Sequence, residues 1–190
     1  MDTAGFVLAG GRSSRMGRDK ALLELDGETL VERAARRVLA AAGRVAVVGN
    51  SERHASFGWP VVADLRPGDG PLAGIEAALA SPYAAEWNLV VACDMPSLAP
   101  DLLERLIAEA RLRRPDCVAA YTAAHGVEPL CAVYGRGFLA VARRALDAGR
   151  RKVRDAFEGL DVIHLETDNE AAVANVNTPA DWQSVAGEPR

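Results

Sequence analysis

The residues best suited to chemistry stand in one run, Leu8-Ala-Gly-Gly-Arg-Ser-Ser-Arg-Met-Gly-Arg-Asp-Lys20. Glycines at 10, 11 and 17 let backbone N–H groups approach phosphate oxygens, and Arg12, Arg15, Arg18 and Lys20 supply cations that offset polyphosphate charge. A charged stretch of this kind can also be a solvated surface loop. This one follows directly on the apolar run Phe6 to Leu8, and loops leaving buried strands are where α/β sheets bind ligands. The spacing matches neither GxGxxG nor GxxxxGK[ST]. A Walker-type ATPase is therefore disfavoured, and a nicotinamide-dependent oxidoreductase lacks its glycine fingerprint.

Asp94 ends a second apolar run, Leu89-Val-Val-Ala-Cys93, and precedes Met95-Pro96. A carboxylate at the carboxyl edge of a buried strand faces the ligand crevice. Because magnesium keeps several waters and shares substrate phosphates, one aspartate can suffice to hold it; capping of the following turn is the competing role. Asp64, after Val61-Val-Ala63, is another strand-end carboxylate. It can accept from two adjacent donors, the pattern on a guanine edge, or it can stabilise the turn Pro67-Gly-Asp-Gly-Pro71. In Asn175-Val-Asn177 the two amides alternate along an extended segment and point the same way, as a polar ligand would need, although turn formation accounts equally well for an isolated Asn.

The elements that must position these groups are readable from periodicity. Strands are expected at Phe6 to Leu8, Val45 to Val48, Val61 to Ala63, Leu89 to Cys93, Cys117 to Tyr121, Leu130 to Tyr134 and Val162 to Leu165. Leu30, Ala34, Val38 and Ala41 recur at helical spacing between a capping box at Thr29 and Glu32 and a stop at Gly43. Further helices are expected from Leu72 to Ala80, Asp101 to Arg113, Phe138 to Ala148 and Lys152 to Phe157, with a last one opened by Thr178-Pro179. Apolar strands alternating with helices predict an α/β fold: a three-layer, Rossmann-like arrangement of a mostly parallel central sheet with helices on both faces.

The 190 residues, 49% of them hydrophobic, are enough for one core, and a single domain over 1–190 is expected. A formal net charge of -4 argues against a nucleic-acid partner, which calls for a broad basic surface. The start Met1-Asp2-Thr3 lacks the basic n-region of a secretory signal, and no apolar stretch approaches the roughly 20 residues of a membrane span. A cytoplasmic protein with no membrane partner is expected. The three cysteines and three histidines show no metal-ligand or redox spacing.

Together these segments resemble the MobA-type molybdenum cofactor guanylyltransferases, within the wider nucleotidyltransferases whose loop reads approximately LAGGxSxRMGxDK. The resemblance continues through Gly70-Pro-Leu-Ala-Gly-Ile75, Asp94-Met-Pro96, Glu128-Pro-Leu130 and Asn175-Val-Asn-Thr-Pro179, nearly the whole chain in the family's order. It implies transfer of GMP from GTP to the phosphate of molybdopterin, with Mg2+ as cofactor. Leu8, Ala9, Gly10 and Gly11 would contact GTP, Asn50 and Asp64 its nucleoside, Arg15 and Lys20 the reacting phosphates, and Asp94 the magnesium. Asn175 and Asn177 would hold molybdopterin. Transient contact with other cofactor-synthesis or acceptor proteins is compatible with a labile pterin product. Cytidylyltransferases acting on the same pterin, sugar-phosphate nucleotidyltransferases and a noncatalytic GTP-binding module stay open as alternatives.

Overall fold

A computed structural model of the chain describes residues 2–10, 19–50 and 57–186. Strand β1 (Thr3–Leu8) is buried along its whole length. Its side chains alternate between two cores. Val7 packs on one face with Val31, Val38, Val47 and Leu89, while Phe6 and Leu8 pack on the other with Val48, Leu72, Ile75 and Val90. A strand covered on both faces needs apolar residues at both parities, which is why it reads as an uninterrupted apolar run.

After β1 come a short 3-10 turn (Lys20–Leu22) and a small antiparallel hairpin, β2 (Glu24–Leu25) and β3 (Glu28–Thr29). Helix α1 (Leu30–Ala42) then begins at the expected capping box: Glu32 N donates to Thr29 Oγ1, and Thr29 N donates to Glu32 Oε2. It stops at Gly43, which adopts φ 76 and donates its N–H to Leu39 O. Replacing Thr29 by alanine removes one side of this cap and is expected to lower the unfolding free energy by about 1 kcal/mol, read by chemical denaturation; an unchanged midpoint would show the cap to be dispensable. Gly5 lets α1 settle on β1, since a Cβ there would stand 2.1 Å from Val38 Cγ1.

The chain continues through β4 (Val45–Gly49), β5 (Val61–Ala63), α2 (Pro71–Ala80), β6 (Trp87–Ala92), α3 (Pro100–Arg113), β7 (Cys117–Thr122), β8 (Gly126–Gly135), α4 (Phe138–Asp147), β9 (Val162–Glu166) and α5 (Pro179–Ala186). Seven strands form one sheet in the order β5-β4-β1-β6-β8-β7-β9. Only β8 runs against its neighbours; β5, β4, β1 and β6 are parallel to one another, as are β7 and β9. Helices α1 and α3 cover one face, α2 and α4 the other. The expected α/β fold with a mostly parallel sheet is the fold observed.

Two expectations need correction. Lys152 to Phe157 is not an α-helix but a 3-10 turn, Val153–Ala156, held between Gly149 and Gly159, both at φ 77, which leave room for little more than one turn. Strand β8 starts at Gly126 rather than Leu130, because its pairing with β7 shifts register between Ala119 and Ala120. Pro129 has no N–H to give the ladder, so the strand bulges there and its first half escapes a periodicity reading. Among the described residues no helix is long and apolar enough to cross a membrane.

Candidate active site

The chain leaves β1 for β4 on one side, reaches the edge at β5, and returns to β6 on the other side of β1. Such a reversal opens a crevice beyond the carboxyl ends of the strands. A cleft of about 680 Å³ lies there, within the range of roughly 300–1,000 Å³ typical of small-molecule sites. Its floor is the end of β1 (Leu8, Ala9, Gly10) and of β6 (Ala92, Cys93, Asp94), and one wall is Asp64, Gly68, Gly70 and the start of α2. Lys20, Leu130, Asn175 and Asn177 complete it.

Backbone bonds fix this floor, with Ala9 N donating to Val48 O at 2.9 Å and Cys93 N to Leu8 O at 3.1 Å. Val176 N donates to Asp94 O at 2.9 Å, which brings the C-terminal segment onto the end of β6. Val176 is buried between Asn175 and Asn177, so the two amides face the cleft on alternate positions, as expected. Thr178 and Asp181 close the start of α5 reciprocally: Thr178 N donates to Asp181 Oδ2 and Asp181 N to Thr178 Oγ1.

Lys20 is the centre of the site. Asp19 Oδ1 accepts from Ala21 N and so starts the 3-10 turn that carries the lysine inward. The ammonium donates to Asn177 Oδ1 at 2.7 Å and lies 3.3 Å from Asp94 Oδ2, joining groups 157 and 74 residues apart. Burial pushes the Asp94 carboxyl above the ordinary carboxylate range, and the Lys20 charge pulls it partly back. Glu128 is likewise raised by burial, against the pull of the Leu130 N–H it accepts from and of Arg154. Its Oε2 accepts from Asn175 Nδ2 at 3.5 Å, so Glu128 steadies one of the two cleft amides. Cys93 also lines the cleft, but burial, with the Asp94 charge, raises its thiol and disfavours the thiolate a nucleophile needs.

Of the residues singled out in the sequence, Leu8, Ala9, Gly10, Lys20, Asp64, Asp94, Asn175 and Asn177 meet in one cleft. Asn50 follows β4 on the same sheet edge but is exposed and outside the described lining. Gly11 and Arg15, with Arg12, Gly17 and Arg18, lie outside the described residues. Asp64 Oδ1 accepts from Arg66 N at 3.0 Å, so the turn-stabilising role weighed for it is present alongside its place in the wall. Glu128 was legible only as part of a motif, and its steadying contact depends on a residue 47 positions away.

Among the described residues no three His, Cys, Asp or Glu side chains gather into a metal site. Two hard oxygens, from Asp94 and Asn177, nevertheless converge on one cation, the Lys20 ammonium. That donor set fits a divalent ion that draws its remaining ligands from water and substrate phosphates.

Comparison with known proteins points to one family. Residues 5–163 match the MobA-like NTP transferase domain. A probable molybdenum cofactor guanylyltransferase of Opitutus terrae is 41% identical, covering 94% of this chain and 92% of its own length. A molybdenum cofactor guanylyltransferase of Burkholderia vietnamiensis is 36% identical over 98% and 95% of the two chains. The crystal structure of molybdopterin-guanine dinucleotide biosynthesis protein A from Archaeoglobus fulgidus superposes with a TM-score of 0.82 at 28% identity, covering 96% of each chain. By fold, by the cleft at the sheet's switch point and by these matches, the chain belongs to the MobA-like NTP transferase family.

Proposed function

We propose that this protein transfers GMP from GTP to the terminal phosphate of molybdopterin, forming molybdopterin guanine dinucleotide and pyrophosphate. The observation that carries the proposal is the Lys20 ammonium held between Asp94 and Asn177 at the floor of the cleft. That trio gathers a phosphate-binding cation, a metal-binding carboxylate and an amide of the C-terminal motif at one point. The guanylyltransferase names carried by relatives at 36% and 41% identity support the choice of nucleotide and acceptor.

In the proposed reaction a molybdopterin phosphate oxygen attacks the α-phosphorus of GTP. The new P–O bond forms as the bond to the bridging β-phosphate oxygen breaks, and its electron pair leaves with pyrophosphate. The nucleophile is already ionised, so no general base is required. Catalysis then rests on positioning and charge stabilisation. Leu8, Ala9, Gly10 and Gly11 present backbone to the nucleotide, Arg15 and Lys20 neutralise the phosphates, Asn50 and Asp64 serve the nucleoside, and Asn175 and Asn177 orient the pterin. Asp94, with Asn177 beside it, is the residue assigned to Mg2+, which supplies Lewis-acid stabilisation of charge on the phosphoryl oxygens. GTP is a cytoplasmic metabolite, and the reaction is assigned to that compartment.

Asp94 holds a cation only when ionised, and burial raises its carboxyl. Activity is therefore expected to fall on acidification at a pH above the ordinary carboxylate value of about 4. Binding of Mg2+ favours the ionised form, so raising its concentration should move this acid limb to lower pH. Profiles of kcat/KM against pH at two magnesium concentrations check this, and a limb indifferent to magnesium would contradict the assignment of Asp94. The reaction itself is tested by the mass of the pterin product after incubation with GTP, magnesium and molybdopterin. A gain of one GMP supports the proposal, whereas an unmodified pterin beside hydrolysed GTP would overturn it.

A further inference from the structure

Helix α2 reads Pro71-Leu-Ala-Gly-Ile-Glu-Ala-Ala-Leu-Ala80, apolar or small throughout except for Glu76, which is only 3% exposed. Burying a carboxylate carries a desolvation cost, and a well-packed apolar side chain of similar size usually serves stability as well or better. What the carboxylate does gain is two arginines. Arg66 Nε lies 2.9 Å from Glu76 Oε2, and Arg143 Nε lies 3.4 Å from Oε1. The Arg66 contact is an ion pair rather than an aligned hydrogen bond, since Oε2 has no hydrogen-bond partner among the described residues. The other arm of Arg66 donates to Asp147 Oδ1 at 2.8 Å, at the end of α4.

Arg66 belongs to the loop from Asp64 to Gly70 that forms one wall of the cleft. Its backbone N–H is bound by Asp64 Oδ1, so the residue that grips Glu76 with its side chain grips Asp64 with its main chain. Within the loop, Asp69 N donates to Arg66 O at 3.1 Å. Gly68 and Gly70 sit at φ 91 and 81, and the loop gains a second tether where Arg151 Nε donates to Asp69 Oδ1 at 2.9 Å. Both side-chain tethers, Arg66 to Glu76 and Asp147, and Arg151 to Asp69, join this wall to elements outside it.

We infer that Glu76 is a positioning residue: acting through Arg66, it sets the stance of Asp64 and hence the affinity and base selectivity of the cleft for GTP. The inference rests on the proposed assignment of Asp64 to the nucleobase. Glu76 is not among the residues that line the cleft; its carboxylate faces Arg66 and Arg143.

Glu76→Gln keeps the volume and removes the charge. With GTP and molybdopterin varied separately, its KM for GTP should rise about 10-fold while kcat and the KM for molybdopterin stay within about twofold, the pattern of lost binding common to ground and transition states. The preference for GTP over CTP should fall with it. Combined with Asp64→Asn, the two effects should not add, since both act through one carboxylate. Should Glu76→Gln fail to fold, Asp147→Asn loosens the exposed end of the same chain of ion pairs and should raise the KM for GTP in the same direction, again without adding to Asp64→Asn.

An unchanged KM for GTP in a folded variant, or an increase that adds fully to that of Asp64→Asn, would overturn the inference. Wild-type enzyme without a preference for GTP over CTP would instead overturn the guanine assignment, and the two failures are read from different samples.

Discussion

Asp94→Ala is expected to abolish metal-dependent turnover, with a loss on the order of 1,000-fold or more, in line with removal of a principal charge-stabilising group. The main chain at this position is held independently of the side chain, by Cys93 N to Leu8 O and by Val176 N to Asp94 O. The floor of the cleft should therefore keep its shape. Stability should change little. The carboxyl is raised by burial, so its ionised form is favoured less in the folded chain than in the unfolded one, and this cost grows as pH rises toward its folded value. Its removal relieves that cost but also removes the ion pair with the Lys20 ammonium at 3.3 Å, and the two effects oppose each other. Initial rates of pyrophosphate release, paired with thermal unfolding, check both halves. Lost activity together with a sharply lowered melting temperature would indicate a structural role instead.

Lys20→Ala is expected to cost on the order of 100-fold to 1,000-fold in rate, by analogy with the loss of one oxyanion donor. The lysine lies at the meeting point of Asp94 and Asn177, so its removal takes away both a phosphate-neutralising charge and the link between the two halves of the site. A second consequence follows from the electrostatics. Lys20 opposes the upward push of burial on Asp94, so without it the carboxyl rises further and the acid limb of the remaining activity should move to higher pH. Turnover within about threefold of wild type would contradict the proposed role, given the size expected for such a group. A folded variant with lower activity but an unmoved acid limb would contradict the coupling between Lys20 and Asp94.

Much of the scaffold was legible in the sequence because its cues are local. Thr29 and Glu32 announce the start of α1, Gly43 its end, and both caps form as their residue types suggest. Buried strands such as β1 and β6 show as apolar runs because helices cover both their faces. Where a strand departs from that pattern the cue is lost, as in the first half of β8, where Pro129 forces a bulge. The hairpin of β2 and β3 escaped as well, although Asp26 and Gly27 at φ 55 and 77 form the kind of two-residue turn their types favour.

The site divides along the same line. Asp64 and Asp94 could be placed at strand ends from periodicity alone, and the alternation of Asn175 and Asn177 about buried Val176 followed from an extended segment. Contacts between distant parts of the chain could not. Nothing local to Lys20 indicates Asn177, and nothing local to Arg66 indicates Asp147. Glu76 did leave a trace, a single carboxylate in an otherwise apolar helix, but its partners became visible only once α2 and α4 were packed side by side.

The most direct test of the central claim is pyrophosphate release by the purified protein with magnesium, offering GTP, CTP, ATP and UTP separately, each with and without molybdopterin. Release with GTP that depends on molybdopterin, and little with the other three nucleotides, is the predicted result. Release with CTP in place of GTP, or none with any nucleotide, would contradict it.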